Sequence, residues 1–371
     1  MTLMSKPLSR VSLLWGTLGG GGLESVMLTL AEEFTDRGIE TDIVLMEKRG
    51  EHVGKVPSDA QVFDLEAHQV IAGPLALAKY LRRRDPSVLL SAGYTNRFAA
   101  LARTLAGVAT PVVISEHNTA SMPASGSVLP RRVLDQLARW TYPLADQMIA
   151  VSESVANEIS HSMNFRRKEF EVIYNPVIGT ETFELAEKKV EHPWFADRSI
   201  PVILGVGRLV EQKDFSTLVR AFNRVRGHNP CRLAILGEGP KRSTLQQLAK
   251  RLGVAEQIWM PGFVSNPLKY MANASVFVLS SKWGEGHGNV LVEAMACGTP
   301  VISTNCPGGP SEILEGGKHG KLVPVEDPHV MAQAIENVLN GHVPPAKSSA
   351  LDRFRQETVA EKYLDTLSSV M

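Results

Sequence analysis

Two glutamates eight positions apart, Glu285 and Glu293, bracket the stretch of this chain best suited to chemistry. Glu285 opens the run Glu285-Gly286-His287-Gly288-Asn289, where two glycines leave the backbone open to close approach by a ligand. Val290 to Cys297 has the apolar content and length of a short helix, stopped by Gly298 and Pro300. Ala274 to Leu279 before it reads as a buried parallel strand, and Val301 to Ser303 after it as the next one. A strand, a glycine loop and a helix start, in that order, sit at the carboxyl edge of a sheet. Free N–H groups and the helix dipole there favour an anion. Two carboxylates beside such a loop suit a ligand that carries both phosphate and hydroxyls, such as a nucleotide sugar. The competing reading is an ordinary strand–helix–strand crossover with one solvated glutamate and one in the helix's first turn.

Arg208 and Lys213 form the second constellation, in Gly205-Val206-Gly207-Arg208-Leu209-Val210-Glu211-Gln212-Lys213-Asp214-Phe215. This loop joins a strand at Pro201 to Val206 to a helix predicted over Phe215 to Arg226. A planar guanidinium and a point ammonium five positions apart across a turn can converge on one diphosphate. A diphosphate leaving group needs such neutralisation where no metal supplies it. The plainer alternative is a pair of exposed loop cations. Ser115-Glu116-His117-Asn118 places a histidine just past the strand Pro111 to Ser115. Gly16-Thr17-Leu18-Gly19-Gly20-Gly21-Gly22 follows the first strand but fails the G-x-G-x-x-G dinucleotide spacing. Gly237 to Pro240 lacks the second glycine and lysine of a P-loop.

The elements that must position these residues alternate throughout. Strands are predicted at Val11 to Trp15, Thr41 to Met46, Val88 to Ser91, Val112 to Ser115 and Gln147 to Val151, with helices between them at Leu23 to Arg37, Gly73 to Arg84 and Asn96 to Leu105. The alternation restarts at Pro201 and continues through Arg232 to Leu236, Ile258 to Met260, Val276 to Leu279 and Val301 to Ser303. That pattern predicts an α/β chain of two doubly wound, Rossmann-like domains facing a cleft, with ligands at the carboxyl edges. The expected divisions are an N-terminal domain over 1–180, a linker over 181–198 that is charged and weakly periodic, and a C-terminal domain over 199–351.

Composition sets the outer limits. The 371 residues suit two domains, and 44% hydrophobic content can fill two cores. Lys+Arg and Asp+Glu are both 39, which argues against a dedicated nucleic-acid binder. Three scattered cysteines, Cys231, Cys297 and Cys306, give neither a zinc spacing nor a disulfide framework, so a reduced, cytoplasmic setting is expected. The apolar run Val11 to Leu14 is too short for a signal core, and no run nears membrane-spanning length.

The segment from Glu285 through Glu293-Ala294-Met295-Ala296-Cys297-Gly298-Thr299-Pro300-Val301-Ile302 resembles the donor-site signature of family-4 retaining glycosyltransferases, which have the glycosyltransferase-B fold. The Gly207-Arg208-Leu209 and Lys213-Asp214 elements resemble the same family's pattern. The resemblance is strong from Gly205 to Glu312 and weak before it. It implies that Arg208 and Lys213 hold the donor diphosphate, that Glu285 accepts hydrogen bonds from the donor sugar, and that Glu293 binds the ribose hydroxyls. Gly286, His287, Gly288, Asn289 and Val290 would support phosphate and sugar. Gly262, Phe263 and Val264 would line the nucleobase pocket, and Gly19 and Gly20 would border the phosphates or the acceptor. His117 would lie near the anomeric centre, and the helix over 352–371 would return to the N-terminal domain. His287 departs from the aromatic or apolar residue common after Gly286.

The implied activity is transfer of a hexose or N-acetylhexosamine to a glycan or polyprenyl-linked acceptor in bacterial surface-polysaccharide or lipopolysaccharide assembly. The expected donor is a UDP-sugar, with a GDP-sugar second, and no cofactor or metal is expected. Rival readings are a nucleotide-sugar epimerase on the same fold and a non-catalytic nucleotide-sugar-binding or scaffolding protein. One charge bias stands apart. From Ala72 to Trp140 the chain carries Lys79, Arg82, Arg83, Arg84, Arg97, Arg103, Arg131, Arg132 and Arg139 against only Asp85, Glu116 and Asp135. Leu129 to Leu137 mixes apolar and basic residues at helical spacing, so peripheral contact with an anionic membrane at the inner face of the plasma membrane is an expectation, set against ordinary Arg-rich surface helices.

Overall fold

The computed structural model describes residues 8–19, 21–67, 72–117, 131–197, 199–342 and 346–371. The chain divides into two units, Met1–Pro176 with Arg355–Met371, and Val177–Phe354.

The first unit is built on a seven-stranded sheet: β1 (Arg10–Trp15), β2 (Glu40–Leu45), β3 (Gln61–Asp64), β4 (Val88–Ala92), β5 (Val112–Glu116), β6 (Gln147–Ala150) and β7 (Phe170–Val172). Their order is β3-β2-β1-β4-β5-β6-β7, all parallel. The central strands are apolar on both faces, as a sheet covered on both sides requires. Leu14 and Val44 point into one core, which holds the helices Gly73–Arg84, Asn96–Ala106 and Glu153–Met163. Leu13 and Trp15 point into the other, with the helix Gly22–Asp36. The last helix, Gln356–Ser369, completes this second core with Val359, Tyr363 and Leu367, all fully buried. Tyr363 Oη lies 3.0 Å from Ser115 Oγ, and Thr366 Oγ1 donates to Glu171 Oε2 at 2.9 Å.

The second unit has a six-stranded parallel sheet: β8 (Val202–Val206), β9 (Arg232–Leu236), β10 (Ile258–Gly262), β11 (Val276–Leu279), β12 (Val301–Thr304) and β13 (Lys321–Val323). The order is β10-β9-β8-β11-β12-β13. The chain winds outward from β8 in one direction through β9 and β10, then returns beside β8 with β11. The strand order therefore reverses between β8 and β11, the place where sheets of this kind bind ligands.

Of the segment over 181–198 expected as a linker, the described residues 181–197 are not an extended connection. They lie inside the second unit and carry the helices Thr180–Ala186 and Pro193–Ala196. Their anchor is aromatic. Phe195 is 4% exposed, with ring centroids 5.2 Å from Tyr270 and 6.2 Å from Trp259, and His192 lies 4.0 Å from Trp259. Asn266 Nδ2 also donates to Leu185 O at 2.9 Å. A cap held by a few aromatic rings has no helical periodicity to betray it in the sequence. No helix among the described residues is long and apolar enough to cross a membrane.

If this cap is part of the second unit's packing, Phe195→Ala will cost about 3 kcal/mol, the scale for deleting a buried phenyl ring. Thermal unfolding checks it; a shift within the ~0.5 kcal/mol typical of surface substitutions would return the segment to a linker.

Candidate functional site

The second unit's site grows from the two loops that flank the strand reversal. After β8, Gly207 N donates to Leu236 O at 3.0 Å, which draws the β8 and β9 ends together. Gly237 adopts φ +138, and a Cβ there would stand 2.0 Å from Gly207 O, so only glycine permits this approach. The loop then makes one helical turn over Glu211–Lys213. Asp214 caps the helix Phe215–Arg226, accepting from Thr217 N at 3.3 Å and from Thr217 Oγ1 at 2.6 Å. This geometry lays the Lys213 side chain over Gly207, with Cε 3.4 Å from where a Cβ would stand.

The β11 loop is stitched to that turn. Ser280 Oγ donates to Lys213 O at 2.7 Å, Lys282 N to Gln212 O at 2.8 Å, and Gln212 Nε2 to Gly284 O at 2.9 Å. Between these ties, Lys213 Nζ reaches Glu285 Oε1 at 2.5 Å, and Ser281 Oγ donates to the same oxygen at 2.5 Å. The two side chains are 15% and 7% exposed, so this is a largely desolvated ion pair. Glu285 is fixed from its backbone as well, since Gly309 N donates to Glu285 O at 2.7 Å. Gly308, at φ +129, runs so close that a Cβ would stand 1.8 Å from Glu285 O.

His287 is buried, its Nδ1 3.0 Å from Asn289 Oδ1 and its ring 5.3 Å from that of Phe354. Burial drives its pKa down to about 4, with Arg353 adding to the fall and the Asn289 hydrogen bond opposing it, so the ring is neutral at physiological pH. Gly288 turns the chain at φ +93 into the helix Asn289–Ala296, which carries Val290 in its first turn and Glu293 in its second. Glu293 keeps some exposure, yet burial of its carboxyl pushes the pKa up to about 7. No side-chain hydrogen bond or ion pair to it is present among the described residues.

The structure thus brings Lys213 and Glu285 into direct contact. Arg208 is exposed on the same loop and makes no side-chain ion pair among the described residues. Gly262 ends β10, Val264 is half-buried, and Phe263 is 72% exposed, offering an aromatic face to solvent. Sequence reasoning passed over Ser281, Gln212 and Arg353. Ser281 donates to the paired carboxylate and Gln212 to the neighbouring Gly284 O, and neither has a motif of its own. Arg353 donates to Glu312 O at 3.0 Å and Ile313 O at 3.1 Å, across 41 and 40 residues of chain.

In the first unit, His117 follows β5 and is 8% exposed. Its Nε2 lies 3.0 Å from Ser115 Oγ, the hydroxyl that also meets Tyr363, so the final helix braces this histidine. Glu116 is drawn to Tyr142 and to Asn96 Nδ2, the latter at 3.0 Å, and its pKa is raised by burial. It serves the interior of that unit. Gly19 lies in the turn after β1; Gly20 and Asn118 fall outside the described residues.

Residues 20–178 match the family described as Glycosyltransferase Family 4, and residues 188–356 match Glycosyl transferases group 1. The chain is 28% identical over 367 residues to the Campylobacter jejuni N-acetylgalactosamine-N,N'-diacetylbacillosaminyl-diphospho-undecaprenol 4-alpha-N-acetylgalactosaminyltransferase, covering 94% of this chain and 97% of that one. It is likewise 28% identical to the lipopolysaccharide core biosynthesis glycosyltransferase LpsE of Rhizobium meliloti, covering 94% and 96%. Among solved structures, Anabaena HepE in complex with UDP and glucose superposes with a TM-score of 0.78 at 22% identity, covering 97% of this chain and 100% of that one. Both halves of the chain therefore share the two-domain glycosyltransferase-B fold.

Two outcomes follow from the geometry. Lys213→Ala will destabilise the protein by about 3 kcal/mol, because it leaves a buried carboxylate without its partner. Adding Glu285→Gln will recover much of that loss, read by thermal unfolding. The second concerns pH. Glu293 has a folded pKa of about 7, above the usual carboxylate value, so the stability tied to its protonated form is complete below pH ~4.5 and lost as pH rises through ~7. Relative to wild type, Glu293→Gln will therefore gain stability from pH 5 to pH 8; a pH-independent difference would reject the assignment.

Proposed function

Because the chain belongs to the family-4, group 1 glycosyltransferases, we propose that it transfers a hexose or N-acetylhexosamine from a nucleoside-diphosphate sugar to a glycan or polyprenyl-linked saccharide. The expected donor is a UDP-sugar, with a GDP-sugar second, and the expected setting is surface-polysaccharide or lipopolysaccharide assembly at the inner face of the plasma membrane. The undecaprenyl-linked acceptor in the Campylobacter relative's name and the UDP bound by HepE support this reading.

The observation that carries it is the Lys213–Glu285 pair at the strand reversal, beside a glycine loop and a helix start. An arriving pyrophosphate would meet the Arg208 guanidinium and the Lys213 ammonium. As the bond between C1 and the phosphate oxygen breaks, these cations offset the charge that develops on the diphosphate. Glu285, freed to turn toward the sugar, would accept its hydroxyls, and an ionised Glu293 would accept the ribose hydroxyls. The acceptor oxygen bonds C1 on the face the phosphate leaves, and its proton passes to the departing phosphate oxygen. That sequence retains the anomeric configuration. Because Arg208 and Lys213 supply the positive charge, we propose that no metal is required. His117 is the first unit's candidate for a sugar contact.

The test is thermal stability of the full chain with UDP, GDP and a panel of their sugars, followed by transfer to an acceptor. Nucleotide at a hundredfold excess over its dissociation constant should add about 2.7 kcal/mol of stability. Arg208→Ala should remove most of that gain and leave the apo protein unchanged. Transfer should persist in a chelator and yield a product with the donor's anomeric configuration by NMR. Conversion of the sugar without any acceptor would establish the epimerase reading instead, and no response to any nucleotide would end both.

A further inference from the structure

The carboxyl end of β5 and the last helix of the chain meet through buried hydroxyls. Val113 enters the core that the helix Gln356–Ser369 completes, and Ser115, two positions on, points the same way. Asn96 Nδ2 donates to Ser115 O at 2.8 Å, which fixes the strand end from its backbone. Ser115 and Tyr363 are fully buried. Ser115 Oγ lies 3.0 Å from Tyr363 Oη and 3.0 Å from His117 Nε2. Among the described residues Tyr363 Oη has no hydrogen-bond partner besides Ser115 Oγ, and Ser115 Oγ has none besides Tyr363 and His117.

The direction of both hydrogen bonds follows. Each hydroxyl brings one hydrogen. Burial pushes the Tyr363 phenol up to about 12, so it keeps its hydrogen at physiological pH. In a buried site that hydrogen needs an acceptor, and Ser115 Oγ is the one within reach. Ser115 therefore accepts from Tyr363 and has its own hydrogen left for His117. The opposite order would send the serine hydrogen to Tyr363 and strand the phenol's hydrogen in the core. Nε2 of His117 is then an acceptor, and in a neutral imidazole the other nitrogen, Nδ1, carries the hydrogen.

We propose that Tyr363 is a positioning residue for glycosyl transfer: through Ser115 it holds His117 as the Nδ1–H tautomer. The ring then offers a hydrogen to a hydroxyl or acetamide oxygen of the sugar. It does not serve as the base that deprotonates the acceptor, because its bare nitrogen is already occupied by Ser115. This agrees with a transfer in which the acceptor's proton passes to the departing phosphate oxygen. The role in transfer rests on the function proposed above, whereas the tautomer rests on these side chains alone. A hydroxyl 248 residues beyond Ser115 thus gives the final helix a task besides completing a core.

The test is nitrogen NMR of the full chain with isotopically labelled histidine, without ligand, at about pH 8, where an ordinary imidazole is neutral. The His117 signals are those lost in His117→Gln. In wild type Nδ1 should bear the hydrogen and Nε2 should be bare. Tyr363→Phe keeps the buried ring without the hydroxyl, and should let the other tautomer appear as a comparable population. Its kcat/KM for transfer should fall about tenfold, the scale of one hydrogen bond, with the thermal shift produced by UDP alone unchanged. Ser115→Ala breaks both contacts and should release the tautomer in the same way, which keeps the test open if Tyr363→Phe does not fold. A wild-type ring with its hydrogen on Nε2 overturns the proposal, whatever the variants do. So does an Nδ1–H ring that persists in either folded variant, or transfer by Tyr363→Phe at the wild-type rate. An Nδ1–H ring in a wild-type protein that transfers no sugar would overturn the transferase reading and the positioning role with it, and would leave the tautomer established.

Discussion

A half-buried ammonium and a buried carboxylate hold the second unit's site together. Lys213 and Glu285 are 72 residues apart in sequence and come from loops on opposite sides of the strand reversal. Each would be costly to bury alone, and together they are tolerated because their charges meet and Ser281 adds a further hydrogen bond. The pair is not surplus stability. It is a condition that both loops must satisfy at once, and the ties from Ser280, Gln212 and Lys282 make that condition geometric as well as electrostatic. The position of His287, of Gly288 and of the helix that carries Glu293 follows from where Glu285 is pinned.

Backbone contact supplies the complementary constraint. Gly237 against Gly207 and Gly308 against Glu285 bring main chains together at distances that exclude a side chain. These approaches set the depth of the loops at the sheet edge. They leave the site's polar groups to side chains whose charge states differ. His287 is held neutral by burial, Glu293 sits near its titration midpoint at neutral pH, Glu285 is paired, and Arg208 stands in solvent.

What the sequence disclosed follows burial. Central strands such as β1, β4, β8 and β11 lie between two layers of helices, so they are continuous apolar runs and were legible. The edge strands β3, β7 and β13 have three or four residues and need apolar side chains on one face only, as Gln61–Asp64 and Lys321–Val323 illustrate. They passed unread. The cap over 181–198 was hidden for a related reason, since its hold on the second unit rests on isolated rings rather than a periodic face. At the site, residue types and strand-end positions were readable from Glu285, Glu293, Arg208 and Lys213. Their pairing was not, because which cation meets which anion depends on the turn over Glu211–Lys213 and on a hydroxyl with no motif around it.

That pairing alters how the proposed chemistry must begin. Two free cations waiting for a diphosphate would bind any polyanion. Here one of the two is already neutralised, so under the proposed chemistry an incoming pyrophosphate would draw Lys213 away from Glu285 and leave a buried carboxylate with Ser281 as its remaining side-chain donor. Sugar hydroxyls would add donors there; a fully ionised diphosphate has none to offer. In that scheme the ion pair would couple recognition of the phosphate to recognition of the sugar. A ligand bearing both would satisfy both halves of the pair, while one bearing only phosphate would leave the carboxylate with Ser281 alone. In physical terms, that is a means of preferring the intact donor over its nucleotide product at a site whose strongest attraction, by charge alone, would favour the product.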